Sequence, residues 1–147
     1  MTLIKKAALT AIALSITACS DQKLISDGGM PAPLQKVKCG SSSEELFRAY
    51  PDMTAKGASG TGFCRVTAGV EKDCVTVTAG KVSLGMVLFL SKNAPAEFGT
   101  YLERLEGQLG KGVFDSAEKS VRWKTDSGRL ISLSGEPAYV SLGVACP

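Results

Sequence analysis

"CVTVTAGKVSLGMVLFL", residues 74–90, decides the fold. Its first part alternates, with Val75 and Val77 pointing one way and the threonines the other, the period of a half-buried strand. Ala79-Gly80-Lys81 makes a turn. From Val82 to Leu90 the chain is then apolar almost without a break. Such a run suits a central strand covered on both faces, or one covered by a helix on one side and by the N-terminal segment or a partner on the other. Gly85 inside it marks a bulge or a close approach of neighbouring groups.

The flanks supply the rest of a sheet. "FCRVTA", residues 63–68, alternates, with Cys64, Val66 and Ala68 on one side. After residue 112, "SVRWKT", "LISLS" and "AYVSLGVAC" read as three strands, separated by turns at Asp126-Ser127-Gly128 and Gly135-Glu136-Pro137. In the last of them Val140, Leu142, Val144 and Cys146 share a face. Two helices complete the pattern. Ser42 and Glu45 have the spacing of a capping box, Leu46, Phe47 and Tyr50 give that helix an apolar face, and Pro51 ends it. Pro95 opens the second helix, where Phe98, Tyr101, Leu102, Leu105 and Leu109 form an amphipathic stripe and Gly110 and Gly112 stop it. The order is α-β-β-β-α-β-β-β. It predicts an α+β domain with two helices packed on an antiparallel sheet. The halves, about 39–92 and 93–147, allow a structural repeat of one helix and three strands.

The beginning of the chain has a different character. Lys5 and Lys6 precede an uncharged apolar run from Ala7 to Ile16, well short of the roughly 20 residues that span a bilayer as a helix. That is the layout of a cleaved secretory signal. Ile16-Thr17-Ala18-Cys19 resembles the lipobox of bacterial lipoproteins. The resemblance implies cleavage after Ala18, acylation of Cys19 and a membrane anchor through that residue. In that family an aspartate directly after the cysteine favours the inner membrane. Here Ser20 takes that place and Asp21 follows, which implies an outer-membrane lipoprotein facing the periplasm. Residues 19–38, with Gly28-Gly29, Pro31 and Pro33, read as a flexible tether. Residues 39–147 then form one domain.

Charge and cysteine content narrow the function classes. Without Lys5 and Lys6 the 17 basic residues become 15 against 14 acidic ones, a net of +1. So balanced a chain carries no footprint for nucleic acid. Of five cysteines, setting Cys19 aside leaves Cys39, Cys64, Cys74 and Cys146, an even set that in an exported protein reads as two disulfides. Cys64 with Cys74 and Cys39 with Cys146 is the preferred pairing; Cys39 with Cys64 and Cys74 with Cys146 remains open. No C-x-x-C spacing points to a redox or zinc site.

Histidine is absent, which removes Ser-His-Asp and Cys-His catalysis and the usual base near neutral pH. The carboxylate pairs Asp115/Glu118 and Glu103/Glu106 are better explained by solvated surface than by catalysis. "GQLGKG", residues 107–112, lacks the preceding strand and the Lys-Ser/Thr ending of a phosphate loop. "GASGTG", residues 57–62, precedes a strand and offers no helix N-terminus to an anion. No cofactor or metal is expected, and no enzyme. The hairpin "SVRWKTDSGR" offers a basic surface, Arg122, Lys124 and Arg129, beside the only tryptophan, Trp123, with Tyr139 on the next strand. Arg and Trp concentrate binding energy at interfaces. The expectation is a membrane-anchored, non-enzymatic module that binds a protein, as an inhibitor or immunity-type protein against a lytic enzyme or toxin. An accessory or assembly subunit of an outer-membrane complex is the alternative, with a permanent apolar interface along Val82 to Leu90.

Overall fold

A computed structural model describes residues 23–147. The signal-peptide and lipobox readings, Cys19 included, lie outside the described residues. Two helices, α1 (Ser43–Ala49) and α2 (Ala94–Leu109), pack on an antiparallel sheet of eight strands. The strands are β1 (Thr54–Lys56), β2 (Gly62–Thr67), β3 (Val70–Thr78), β4 (Lys81–Leu90), β5 (Val113–Asp115), β6 (Ser120–Lys124), β7 (Leu130–Glu136) and β8 (Tyr139–Ala145). The expected order holds, with one extra three-residue strand after each helix, β1 and β5. These two form the edges: the spatial order is β1-β2-β3-β4-β8-β7-β6-β5. Short edge strands give little backbone for another chain to pair with.

Local chemistry accounts for the helix ends. The Ser42 side chain accepts from the Glu45 N–H while the Glu45 carboxylate accepts from the Ser42 N–H, the expected capping box. The helix α2 starts with proline in its first turn and ends at Gly110, whose φ of 84° only glycine adopts cheaply. Both disulfides of the preferred pairing form, Cys39–Cys146 and Cys64–Cys74. The second bridges residues directly opposite on β2 and β3. The first ties Cys39, ahead of α1, to Cys146, directly after β8.

The backbone repeats in two halves, each a helix followed by a four-stranded meander. Adding 58 to every residue number carries the Phe63–Val75 and Cys64–Cys74 pairs of β2 and β3 onto the observed pairs Val121–Leu133 and Arg122–Ser132 of β6 and β7. The two meanders join where β4 runs antiparallel to β8.

One face of the sheet holds the core. Val75, Val77 and Val87 lie there with Val121, Trp123, Ile131, Leu133, Val140, Leu142 and Val144, all buried. Leu46 of α1 and Leu105 of α2 reach down onto them, both fully buried. The third cover corrects the sequence reading. Residues 23–38 are not a free tether: Leu24, Ile25, Met30, Leu34 and Val37 belong to the core. The segment doubles back through an Ile25–Pro31 bridge and a 3-10 turn at Ala32–Leu34. Gly85 is where it lands. A Cβ there would lie 2.2 Å from the Met30 Cε and 3.2 Å from a Leu34 methyl, so any larger residue would have to push the tip of Met30 aside. Among the described residues the chain is therefore packed into the fold from Leu24 onward, not from Cys39.

Candidate functional site

Among the described residues, no helix lies on the other face of the sheet. Strand β4 explains why this matters. Its outward residues are Leu84, Met86, Leu88 and Leu90, an unbroken apolar row. Leu84, Met86 and Leu88 are half-buried by their strand neighbours, and Leu90 is 47% exposed. None of the four belongs to the core cluster or packs against it. A solvated sheet face ordinarily alternates to polar residues. Here the alternation fails at the middle of the sheet.

Directly across on β8 stand Ala145, Gly143, Ser141 and Tyr139, opposite Leu84, Met86, Leu88 and Leu90 in that order. Small residues continue beyond them, with Ser132 and Ser134 in the middle of β7, flanked by Leu130 at one end, and Ser120 on β6. The open face is thus a ridge of large apolar side chains beside a trough of small and hydroxyl-bearing ones. A Cβ on Gly143 would meet the Ser132 hydroxyl at 3.2 Å, so the trough is lined closely. On β4 and β8 the face carries no charge; Glu136 follows on β7 and Arg122 and Lys124 on β6. Arg122 pairs with Asp115 at 2.9 Å near one edge, and Lys56 with Glu71 at 2.9 Å near the other. The buried Ser120 hydroxyl and Arg122 Nε have no hydrogen-bond partner among the described residues.

The structure divides the basic hairpin predicted as a binding surface. Trp123 is 5% exposed and belongs to the core; its indole N–H donates to the Gly110 carbonyl at 2.8 Å. Indole burial with a satisfied N–H makes it a packing residue rather than an interface anchor. Arg129 lies on the covered side, against the turn at Gly29, where a Cβ would collide with its guanidinium. Arg122 and Lys124 point to the open face with Tyr139. Three of the five named residues therefore share a surface, and Trp123 and Arg129 lie behind it. For β4 the sequence leaves open a strand covered on both faces or one that offers a face to a partner, because a continuous apolar run does not say which of its faces is closed.

The acidic and cysteine groups have local explanations. The Asp115 carboxylate accepts from the Ala117 and Glu118 N–H groups and pairs with Arg122, so it caps a turn. Glu103 lies on the exposed side of α2. Cys64, Glu71 and Cys74 bring potential ligand atoms within 4.8 Å of one another, but the two sulfurs are bonded to each other. On the covered side Arg65 lies over the Tyr50 ring and pairs with Asp73. The Tyr50 hydroxyl donates to the Pro33 carbonyl and accepts from the Lys36 N–H, which pins the N-terminal segment. Burial pushes the Tyr50 phenol above its ordinary value; burial, then nearby Glu97, does the same for Tyr101.

No helix among the described residues is long and apolar enough to cross a membrane. Compared with known proteins, the chain matches no family model, no curated protein and no solved structure.

Proposed function

We propose that the protein is a membrane-anchored binding module of the cell envelope, tethered through acylated Cys19, that captures a protein partner on the open face of its sheet. One observation carries the reading: the row Leu84, Met86, Leu88 and Leu90 lies outward on a face that no helix among the described residues covers. An apolar strip of this kind, with polar rims, has the composition of a protein contact surface. The lipobox supports the anchor and the periplasm-facing outer-membrane location. A lytic enzyme or toxin that attacks the envelope is the partner class we favour, because a disulfide-stapled domain held at the membrane stands where such an attack occurs.

A second reading has an observation of its own. The outward strip is apolar rather than charged, and permanent interfaces are more apolar than reversible ones. An accessory subunit of an outer-membrane complex accounts for that. Affinity isolation of the tagged full chain from detergent-solubilised envelopes separates the two. Co-purification of a lytic enzyme or toxin in one-to-one ratio supports capture. Recovery of resident outer-membrane subunits in fixed ratio overturns it in favour of assembly.

A further inference from the structure

We infer that, before a partner binds, the open face is closed by a second copy of the same chain, packed sheet on sheet about a two-fold axis. The inference rests on the reading of this face as a docking surface, and it names the occupant that partner capture must displace.

Shape argues for it first. The ridge on β4 and the trough on β8 are adjacent and run in register, Leu84 beside Ala145, Met86 beside Gly143, Leu88 beside Ser141. Turn a second copy over by 180° about an axis parallel to these strands, lying above the gap between them. The ridge of each copy then sits over the trough of the other, and both contacts form at once. A two-fold interface requires this self-complementarity.

Charge agrees. The ridge on β4 and the trough on β8 carry no ionised side chain, so two copies meet at the axis without repulsion; Glu136 on β7 and Arg122 and Lys124 on β6 stand farther out. The same rotation sets the Lys56–Glu71 end of one copy near the Arg122–Asp115 end of the other, one cation and one carboxylate from each.

Area is sufficient as well. Eight strands with seven spacings of ~4.8 Å are ~34 Å across, and seven residues of strand run ~24 Å, which gives ~800 Å². That is about what each partner contributes to a stable interface of ordinary size. The ~10 Å separation of packed sheets leaves room for one interdigitated layer of leucine and methionine side chains.

Photo-cross-linking in the intact membrane tests this. A photoreactive amino acid replaces Leu88 in the full chain, and, as a control on the exposed side of α2, Glu103. The expected result is an adduct of two identical chains from position 88 and none from position 103. Ser141→Trp, which fills the trough from the solvent side, should reduce that adduct at least tenfold while both disulfides still form. A wild-type chain that yields no two-chain adduct from position 88, or the same amount from both positions, overturns the inference. An adduct from position 88 containing only a different protein also overturns it, but leaves partner capture standing. A two-chain adduct in cells where affinity isolation finds no partner does the reverse.

Discussion

Gly85 and Trp123 show how single side chains set this structure. The hydrogen-only side chain of Gly85 admits Met30 and Leu34, both fully buried, onto the sheet. Gly85→Val should cost about 1–3 kcal/mol through overpacking, read as a lower urea midpoint at unchanged slope. Trp123 was legible as special but not as core, since alternation with Val121 identifies its face without saying what covers that face. With its indole buried, Trp123→Ala should destabilise by about 3–5 kcal/mol, checked by the same unfolding curve. A residue acting only at an interface would leave that curve in place. The buried phenols give a pH signature. Tyr50 and Tyr101 both have raised folded values. Below about pH 10 these phenols are neutral in both states and add no pH dependence. As pH rises further the unfolded phenols ionise first, so stability should fall, with phenolate absorbance appearing as the chain unfolds.

At the scale of elements, the regular parts were readable and the irregular ones were not. Helices α1 and α2 announced themselves through a capping box, a proline start and a stripe of apolar residues, whereas cysteine spacing left two disulfide pairings open, and the fold forms the preferred one. The segment from Lys23 to Lys38 gave no such signal. Its core residues, Leu24, Ile25, Met30, Leu34 and Val37, follow neither helix nor strand spacing, because the chain doubles back on itself and buries them one at a time. Glycine and proline, read as marks of a free linker, are there the means of a tight fold. Leu34→Ala should therefore cost about 2–5 kcal/mol, as for a core residue; a linker residue would leave thermal unfolding unchanged. Register was hidden too. Val-Ser-Leu-Gly occurs at 82–85 and again at 140–143. A bulge at Ser83, between the Thr76–Leu84 and Val77–Val82 pairs, turns Leu84 to the open face, while Leu142 is fully buried. One displaced residue sends the same letter to opposite sides of a sheet.

On the scale of the whole molecule, the decisive feature is an imbalance between the two faces of one sheet. Two helices and the segment 23–38 crowd onto one side, held by the Cys39–Cys146 bridge, and among the described residues no helix covers the other. That bridge spans 107 residues of sequence and should contribute about 4–5 kcal/mol in the chain-entropy picture. Its loss through Cys39→Ser with Cys146→Ser should lower the unfolding midpoint accordingly. The central claim is that the outward ridge on β4, rather than the rest of the surface, is what a partner grips. The most direct test compares three full-length chains by affinity isolation from envelopes: wild type, Leu88→Asp on the ridge, and Glu103→Lys on the exposed side of α2. Leu88 lies outside the core cluster, so its replacement should leave both disulfides in place. The account predicts that the wild-type chain and the Glu103→Lys chain retain the partner, and that Leu88→Asp loses it at least tenfold. Undiminished retention by Leu88→Asp would contradict the account and place the contact surface elsewhere on the molecule.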